Sequence, residues 1–371
     1  MRVTISSTEF SSHLSMAGRV LAKKNPMPIL DCFLIEVRDS KMTITASNSE
    51  NSIITSVPLI EQEGEGRLCI NAETLLSTIK EIPEQPLILE YNETTLGLMG
   101  KHSCGEFSVV GQEAEVFPPS VPVSEGSKIT LSSKELVAAL SNCLVATADD
   151  DIMPFKRGVY FDVREDSLIM VATDGRKLVK KTLQDVKPGI KGWFILPRTI
   201  ASILKGIVKK DGTAEIIYDQ QRATISIGDT TIYFRLVEAR YPNYNSVIPP
   251  KRTIAVQLDR LSLIGALKRV GVFCNQSSNF IKLELRDNQA ILTGSDSNNA
   301  TSAEEFVACD YAGAPFSIGF GYTFFVEILN NIETDSVTLE MVAPERPCIC
   351  KPAGVEDDSL LMLLMPMKIE E

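Results

Sequence analysis

One pattern recurs three times along the 371 residues, at a spacing of about 125, and this periodicity restricts the chain to a repeat architecture. Each copy opens with a short β-rich run followed by a helical stretch. These are V-T-I-S-S-T-E-F-S-S-H-L from Val3, I-T-L-S-S-K-E-L-V-A-A-L from Ile129 and I-A-V-Q-L-D-R-L-S-L-I-G-A-L from Ile254. A Ser or Asp before each helical run suits an N-cap, whose side chain accepts from a free first-turn N–H. Apolar residues then recur at helical spacing, as Phe10, Leu14 and Ala17, as Leu136, Leu140 and Cys143, and as Leu263, Leu267 and Val270. One stripe therefore faces a core while the opposite face stays polar.

A hairpin follows in each copy, from Phe33, Val159 and Ile281, with alternating strand residues, a V-R or L-R step and an acidic turn. A second helix keeps one register throughout: Leu75, Ile79 and Ile82 match Ile200, Leu204 and Ile207, then Phe325, Leu329 and Ile332. Closing strands include P-L-I-L-E-Y from Pro86, A-E-I-I-Y from Ala214 and S-V-T-L-E-M from Ser336. The Pro-rich segments F-P-P-S-V-P and Y-P-N-Y-N-S-V-I-P-P read as connectors, because Pro ends a ladder and fixes an extended path. The expected architecture is α+β, with three domains at 1–124, 125–250 and 251–371. Each has two helices packed on antiparallel sheets of about eight short strands.

The stretch V-A-T-D-G-R-K-L-V, from Val171 to Val179, distinguishes the middle copy. Asp-Gly between apolar runs signals a tight turn, since Gly accepts positive φ and Asp bonds its own backbone. The other copies keep strand and turn, as S-N-S-E-N at Ser47 and S-D-S-N-N at Ser295, but lack the G-R-K-L continuation. Copy two is therefore expected to carry a site of its own.

Composition removes several function classes. No apolar run is long enough to span a bilayer, and Pro366 breaks the longest candidate, Leu360 to Met367. The opening residues lack a signal-peptide core, so a cytoplasmic location and no membrane contact are expected. Eight scattered cysteines with no CxxC pair argue against a disulfide framework, and Cys348 and Cys350 suit one strand face as well as a metal site. No GxxxxGK[ST], GxGxxG or HExxH motif is present, so a non-catalytic protein with no metal and no cofactor is expected. The net charge of −11 disfavours a nucleic-acid partner on average, but one basic face on an acidic exterior escapes that argument.

Over its whole length the sequence resembles the bacterial DNA polymerase III β subunits, the sliding-clamp family. The likeness rests on K-N-P-M-P-I-L at Lys24 to Leu30, V-A-T-D-G-R-K-L-V, E-A-R-Y-P-N-Y-N-S-V-I-P at Glu238 to Pro249 and the terminal L-M-P-M-K. The resemblance implies a head-to-tail homodimer closed into a ring around double-stranded DNA, with the helices inside and the sheets outside. Held topologically, such a ring needs no tight phosphate contact and no base sequence. The candidate DNA-facing cations are Lys24 and Arg198 foremost, then Lys23, Arg19, Lys80, Lys205 and Lys209.

In this family short linear motifs of the replicative polymerase, the clamp loader, other polymerases and repair proteins dock between the second and third domains. The matching positions are Thr173, Gly175, Arg176, Lys177 and Leu178, Pro242 and Val247, Phe324, and Leu363, Leu364, Met365, Pro366 and Met367. Arg176-Lys177 stands where the family commonly has His-Arg, Ser246 replaces a frequent Arg, and Lys156 sits where Leu is common. Phe107 on one side and Val272 with Phe273 on the other match the dimer contact. The alternative is a repeat scaffold that binds proteins but not DNA.

Overall fold

The two periods written into each repeat become two helices and eight or nine strands per copy among the described residues. The computed structural model describes residues 1–120, 122–123, 125–150, 152–207, 212–355 and 357–369. Lys209, Lys210 and Asp151, residue 124 of the first expected boundary, and Glu370-Glu371 lie outside the described residues.

The first repeat runs β1 (Arg2–Ser6), α1 (Ser7–Ala17), β2 (Cys32–Arg38), β3 (Lys41–Ser47), β4 (Ser52–Pro58), β5 (Glu61–Glu63), β6 (Gly66–Asn71), α2 (Ala72–Lys80), β7 (Pro86–Asn92), β8 (Gly97–His102) and β9 (Gly105–Val110). The second runs β10 (Ser127–Ser132), α3 (Ser133–Leu144), β11 (Gly158–Val163), β12 (Leu168–Thr173), β13 (Lys177–Leu183), β14 (Gly192–Pro197), α4 (Arg198–Ile207), β15 (Thr213–Tyr218), β16 (Arg222–Ile227) and β17 (Thr230–Arg235). The third runs β18 (Ile254–Asp259), α5 (Arg260–Gly271), β19 (Phe280–Arg286), β20 (Gln289–Asp296), β21 (Thr301–Ala308), β22 (Phe316–Gly321), α6 (Tyr322–Asn330), β23 (Ser336–Met341), β24 (Cys348–Pro352) and β25 (Leu360–Leu364).

The helix starts follow capping chemistry. Ser6 Oγ accepts from the Glu9 N–H at 3.3 Å, Asn71 Oδ1 from Thr74 at 3.0 Å and Asp259 Oδ1 from Ser262 at 2.7 Å. Phe10, Leu14 and Ala17 of α1 are fully buried, as are Leu263, Leu267 and Val270 of α5. The ends depart from the sequence reading in two places. Helix α1 stops at Ala17, so Arg19 sits in a 3₁₀ turn (Gly18–Val20) and Lys23 and Lys24 in the irregular segment beyond it. Helix α2 stops at Lys80 ahead of Pro83, whose ring disfavours helical backbone at the preceding residue. Ile82 thus lies past the helix and only half buried, and Ile207 at the end of α4 is likewise half buried.

The chain divides into two compact units. The first comprises Met1–Val137 and Ile203–Leu236, the second Ala138–Ser202 and Val237–Glu371. In the first, a five-stranded sheet runs β5-β1-β7-β8-β9 and an eight-stranded sheet runs β10-β15-β16-β17-β4-β3-β2-β6. The second holds an eight-stranded sheet, β14-β11-β12-β13-β25-β24-β23-β18, and a four-stranded sheet, β21-β20-β19-β22. Every pairing is antiparallel. Both large sheets are joint products of two successive repeats, stitched by β4 to β17 in one unit and by β13 to β25 in the other. A repeat edge that would otherwise leave a row of unpaired N–H and C=O groups is satisfied by its neighbour.

Candidate partner site, exposed cations and open edges

The turn between β12 and β13 is built by its own polar side chains. Asp174 Oδ1 accepts from the N–H groups of Arg176 at 2.8 Å and Lys177 at 2.7 Å. Thr173 Oγ1 donates to the Lys177 carbonyl at 2.7 Å and accepts from the Gly175 N–H at 3.1 Å. Gly175 has φ +89°, a conformation that a side chain would strain. Lys156 lies against its α-carbon, where a Cβ would come within 3.5 Å of the ammonium. That ammonium pairs with Asp150 at 3.0 Å, and the Met153 N–H together with Lys156 holds the Asp150 carboxyl below its ordinary range. At a position where the family commonly has Leu, this chain therefore places a tethered cation.

The last strand and tail are threaded against this turn. Leu178 lies opposite Leu363 and Lys177 opposite Leu364 in the β13·β25 ladder. Beyond the strand, the Met365 N–H donates to the Arg176 carbonyl at 2.9 Å and the Met367 N–H to the Gly319 carbonyl at 2.8 Å. Phe324 of α6 completes the group, with the Arg176 guanidinium 5.1 Å and the Lys177 ammonium 5.2 Å from its ring centroid. Met365 is exposed, and Pro366, Met367, Thr173 and Phe324 are half-buried.

Strand alternation divides residues that the sequence reading placed on one wall. Leu178 and Leu363 enter a buried cluster with Ile169, Val171, Ile195, Tyr241 and Tyr244. Lys177, the next residue along, points to the opposite sheet face, as the two-residue pleat requires. It is 4% exposed, and its ammonium is engaged by Glu327 of α6 and by Asp174 at 3.3 Å. Leu364 shares that face and is buried. Lys177 and Leu364 thus support the turn and the helix, while Arg176, Met365 and the flanking groups remain accessible.

The connector reaches the site through aromatic side chains that sequence reasoning did not single out. Tyr160 stacks on Tyr241 with centroids 4.3 Å apart, and Phe155 meets Tyr241 edge-on at 5.6 Å. Such pairs contribute about 0.5–1.5 kcal/mol each beyond area burial. Tyr244 donates from its hydroxyl to Asp162 at 2.7 Å, and burial together with that bond pushes the phenol up to about 12. These anchors leave Pro242 and Val247 exposed. The aromatic spacing of Y-P-N-Y was the available signal. Glu327 of α6, which the sequence analysis did not single out, is the counter-ion of Lys177.

The candidate DNA-facing cations share a different property. Arg19, Lys23, Lys24, Lys80, Arg198 and Lys205 are all exposed, and none joins an ion pair among the described residues. Cations elsewhere are commonly paired, as Lys101 with Glu90, Arg252 with Glu340 and Asp358, and Arg269 with Glu305. Arg19 and Lys80 border one hollow with Thr8, Ser11 and Ser15 of α1 and Gly206 of α4. Arg198 and Lys205, seven residues apart on α4, share a helix face.

Two strand edges complete the inventory. Strand β9 ends one sheet and β21 ends another, and among the described residues neither has a partner on its outer side. Phe107 of β9 lies over Gly100, its partner across the ladder, where any Cβ would overlap the ring. Val272 is 77% and Phe273 41% exposed at the end of α5, and Thr301 Oγ1 at the start of β21 donates to the Phe273 carbonyl at 3.3 Å. Among the described residues no cluster of three or more His, Cys, Asp or Glu could hold a metal, and no helix is long and apolar enough to cross a membrane.

Sequence profiles of the DNA polymerase III beta subunit match in order: the N-terminal domain over residues 1–122, the central domain over 130–243 and the C-terminal domain over 245–368. The beta sliding clamp of Staphylococcus aureus is 26% identical over 379 residues, covering 99% of each chain. That of Synechococcus elongatus is 25% identical over 378 residues, covering 100% of each. Among solved structures, the DNA polymerase III beta subunit of Thermotoga maritima superposes with a TM-score of 0.91 at 26% identity, over 100% of each chain. A sliding clamp of Pseudomonas aeruginosa bound to griselimycin gives 0.94 at 23% identity, again over 100% of each, and speaks to the fold alone.

Proposed function

The chain belongs to the DNA polymerase III beta subunit family, and we propose that it acts as a sliding clamp, a non-catalytic ring that encircles duplex DNA and tethers the replicative polymerase and other replication and repair proteins. One observation carries the ring. Two sheet junctions inside the chain use the same register: Ile232 opposite Ile53 joins repeats one and two, and Met362 opposite Val179 joins repeats two and three. Following the ladders outward from Val3, Ile129 and Val256, Phe107 of β9 is the counterpart of Ile232 and Met362. Ala303 of β21 is the counterpart of Ile53 and Val179, on the inward-facing parity shared with buried Val307.

The third junction, between the β9 and β21 edges, has no partner among the described residues, and a second copy supplies it. Phe107 of one chain then lies opposite Ala303 of the next, and beside Val272 and Phe273. Burial of these three apolar side chains contributes about 1.5–3 kcal/mol each. The contact is heterologous, and two copies close it into a ring of six equivalent junctions. Within each chain the proposed domains are 1–124, 125–250 and 251–371.

The unpaired cations support a DNA-facing inner surface. Charges not engaged by carboxylates are free to meet phosphates weakly and at many positions, which sliding requires. The site at Thr173, Gly175, Arg176, Leu178, Phe324, Pro242, Val247 and Met365 to Met367 is the proposed seat for partner peptides. Its Met and Leu surfaces adapt to varied apolar side chains. A replication clamp of this kind works in the cytoplasm.

The test is topological. The protein is loaded onto nicked circular DNA with a clamp loader and ATP, the complex is isolated, and the circle is cut. Retention before cutting and loss afterward is expected. Equal retention on linear DNA would overturn the ring, and no retention on either would favour a scaffold that binds proteins alone.

A further inference from the structure

A ring that admits duplex DNA opens at a junction between copies, because its other junctions lie within a continuous chain. The strand register shows how the junction between copies differs from its internal counterparts. With Phe107 opposite Ala303, the ladder sets Glu106 of one copy opposite Glu304 of the next, and Ser108 opposite Ser302. The positions equivalent to Glu106 and Glu304 inside the chain are Thr231 opposite Ile54 and Leu361 opposite Lys180. Neither internal pair sets like charges together, whereas the pair between copies consists of two carboxylates.

Glu106 and Glu304 lie on the sheet face opposite to Phe107 and Ala303, as strand alternation requires, and both are exposed. Neither joins an ion pair among the described residues. The cations of their row are engaged elsewhere. Lys101 faces Glu106 across the β8·β9 ladder, but its ammonium bonds Glu90 at 2.8 Å. Lys282 lies opposite Thr293, itself opposite Glu304, and its ammonium pairs with Glu284 at 2.9 Å. Arg269 is held by Glu305, whose side chain is on the other face. Across the joined sheets the row reads Lys101, Glu106, Glu304, Thr293, Lys282, with both lysines committed and both carboxylates unpaired. Directly opposed strand positions are about 4.5–5.5 Å apart, inside a screening length of about 8 Å at physiological salt, so the two charges repel and weaken the ladder.

We propose that Glu106 and Glu304 form an electrostatic release built into the contact between copies, which keeps that contact weaker than the two junctions inside the chain and so favours opening of the ring there. Phe107, Val272 and Phe273 hold the copies together through apolar burial, and the carboxylate pair opposes them. The proposal rests on the two-copy ring and the register proposed above, while its charge argument rests on Glu106 and Glu304 themselves.

The experiment measures the dimer dissociation constant by sedimentation equilibrium for the full chain and for Glu106→Lys, Glu304→Lys and the double variant. Each single variant sets a lysine opposite a glutamate at both junctions between copies, and its dimer is expected to be about tenfold tighter than the parent. The double variant sets lysine opposite lysine and is expected to return to within about threefold of the parent. Raising the ionic strength should bring the single variants toward the other two. Each substitution also reduces the net charge of −11, so a general charge effect would make the double variant the tightest of the four. That result overturns the proposal, as do single variants that dissociate like the parent. Both positions are exposed, and matching thermal melts of the four proteins exclude misfolding as the cause. Failure of the ring itself looks different: the parent forms no dimer, and Phe107→Cys with Ala303→Cys gives no crosslink. An intact crosslink together with a tightest double variant removes the release and leaves the ring.

Discussion

At the scale of single residues, buried charge decides which side chains hold the site and which present it. Lys177 is enclosed, bonded to Glu327 and Asp174, and set beside Phe324. Removing one partner of such a pair leaves the other uncompensated, at a cost of about 3–5 kcal/mol when both are buried. Glu327 is half exposed, so Lys177→Met should destabilise the chain by about 1–3 kcal/mol, read as a lowered urea midpoint. An unchanged midpoint would contradict the supporting role. A second network answers to pH: Arg252 grips Asp358 through two bonds of 2.9 and 2.8 Å and Glu340 through one of 2.6 Å. The Arg252 guanidinium holds the Asp358 carboxyl below its usual value. A depressed carboxylate adds stability above its unfolded pKa, near 3.9, and loses it as pH falls through the lower folded value. Asp358→Asn should therefore lower the melting temperature at pH 7, with the gap to the parent narrowing below about pH 4. A gap constant from pH 7 to pH 3 would show that the pair contributes nothing through ionisation.

At the scale of elements, the tail is held by backbone contacts that no periodicity encodes. Met367 donates to Gly319, and a Cβ on Gly319 would overlap the Phe280 ring and come within 2.7 Å of the Met367 carbonyl. Gly319→Ala should displace Met367 and weaken apolar partner peptides about tenfold or more, equivalent to about 1.4 kcal/mol. The expected cost to the fold is about 1–3 kcal/mol, since the added methyl overpacks an occupied space. Fluorescence polarisation alongside a thermal melt separates the two effects, and unchanged peptide affinity would show that the tail does not shape the site. The helices themselves were legible: the stripes at Phe10, Leu14 and Ala17 and at Leu263, Leu267 and Val270 are buried as their spacing requires. Their ends were not, because α1 yields to a 3₁₀ turn at Gly18 and α2 stops before Pro83.

At the scale of the whole molecule, the repeat supplies the internal junctions and, from them, the register of the proposed junction between copies. Antiparallel partners directly opposite place their α-carbons about 4.5–5.5 Å apart, within disulfide range. Phe107→Cys with Ala303→Cys, in a Cys104→Ser background, should therefore give an oxidant-dependent covalent dimer on non-reducing gels. Phe107→Cys with Ser302→Cys should not, because a one-residue shift turns the side chain to the other sheet face. Equal crosslinking of both pairs would refute the register.

Periodicity by itself determined the three copies, the inward stripes and the hairpins, because each is a local consequence of where apolar residues recur along one strand or helix. It also marked V-A-T-D-G-R-K-L-V as exceptional, since its turn chemistry is written in adjacent residues. What only the tertiary structure decided are the contacts between residues far apart in sequence. The β13·β25 pairing turns Lys177 away from Leu178, and Glu327 rises from another repeat to meet it. Tyr241 and Tyr160 stack to bring the connector over the sheet, and β17 closes on β4 to join repeats one and two. A strand's pattern fixes which face is apolar. Which strand lies beside it, and so which charges and rings share that face, depends on edge pairing across the whole fold.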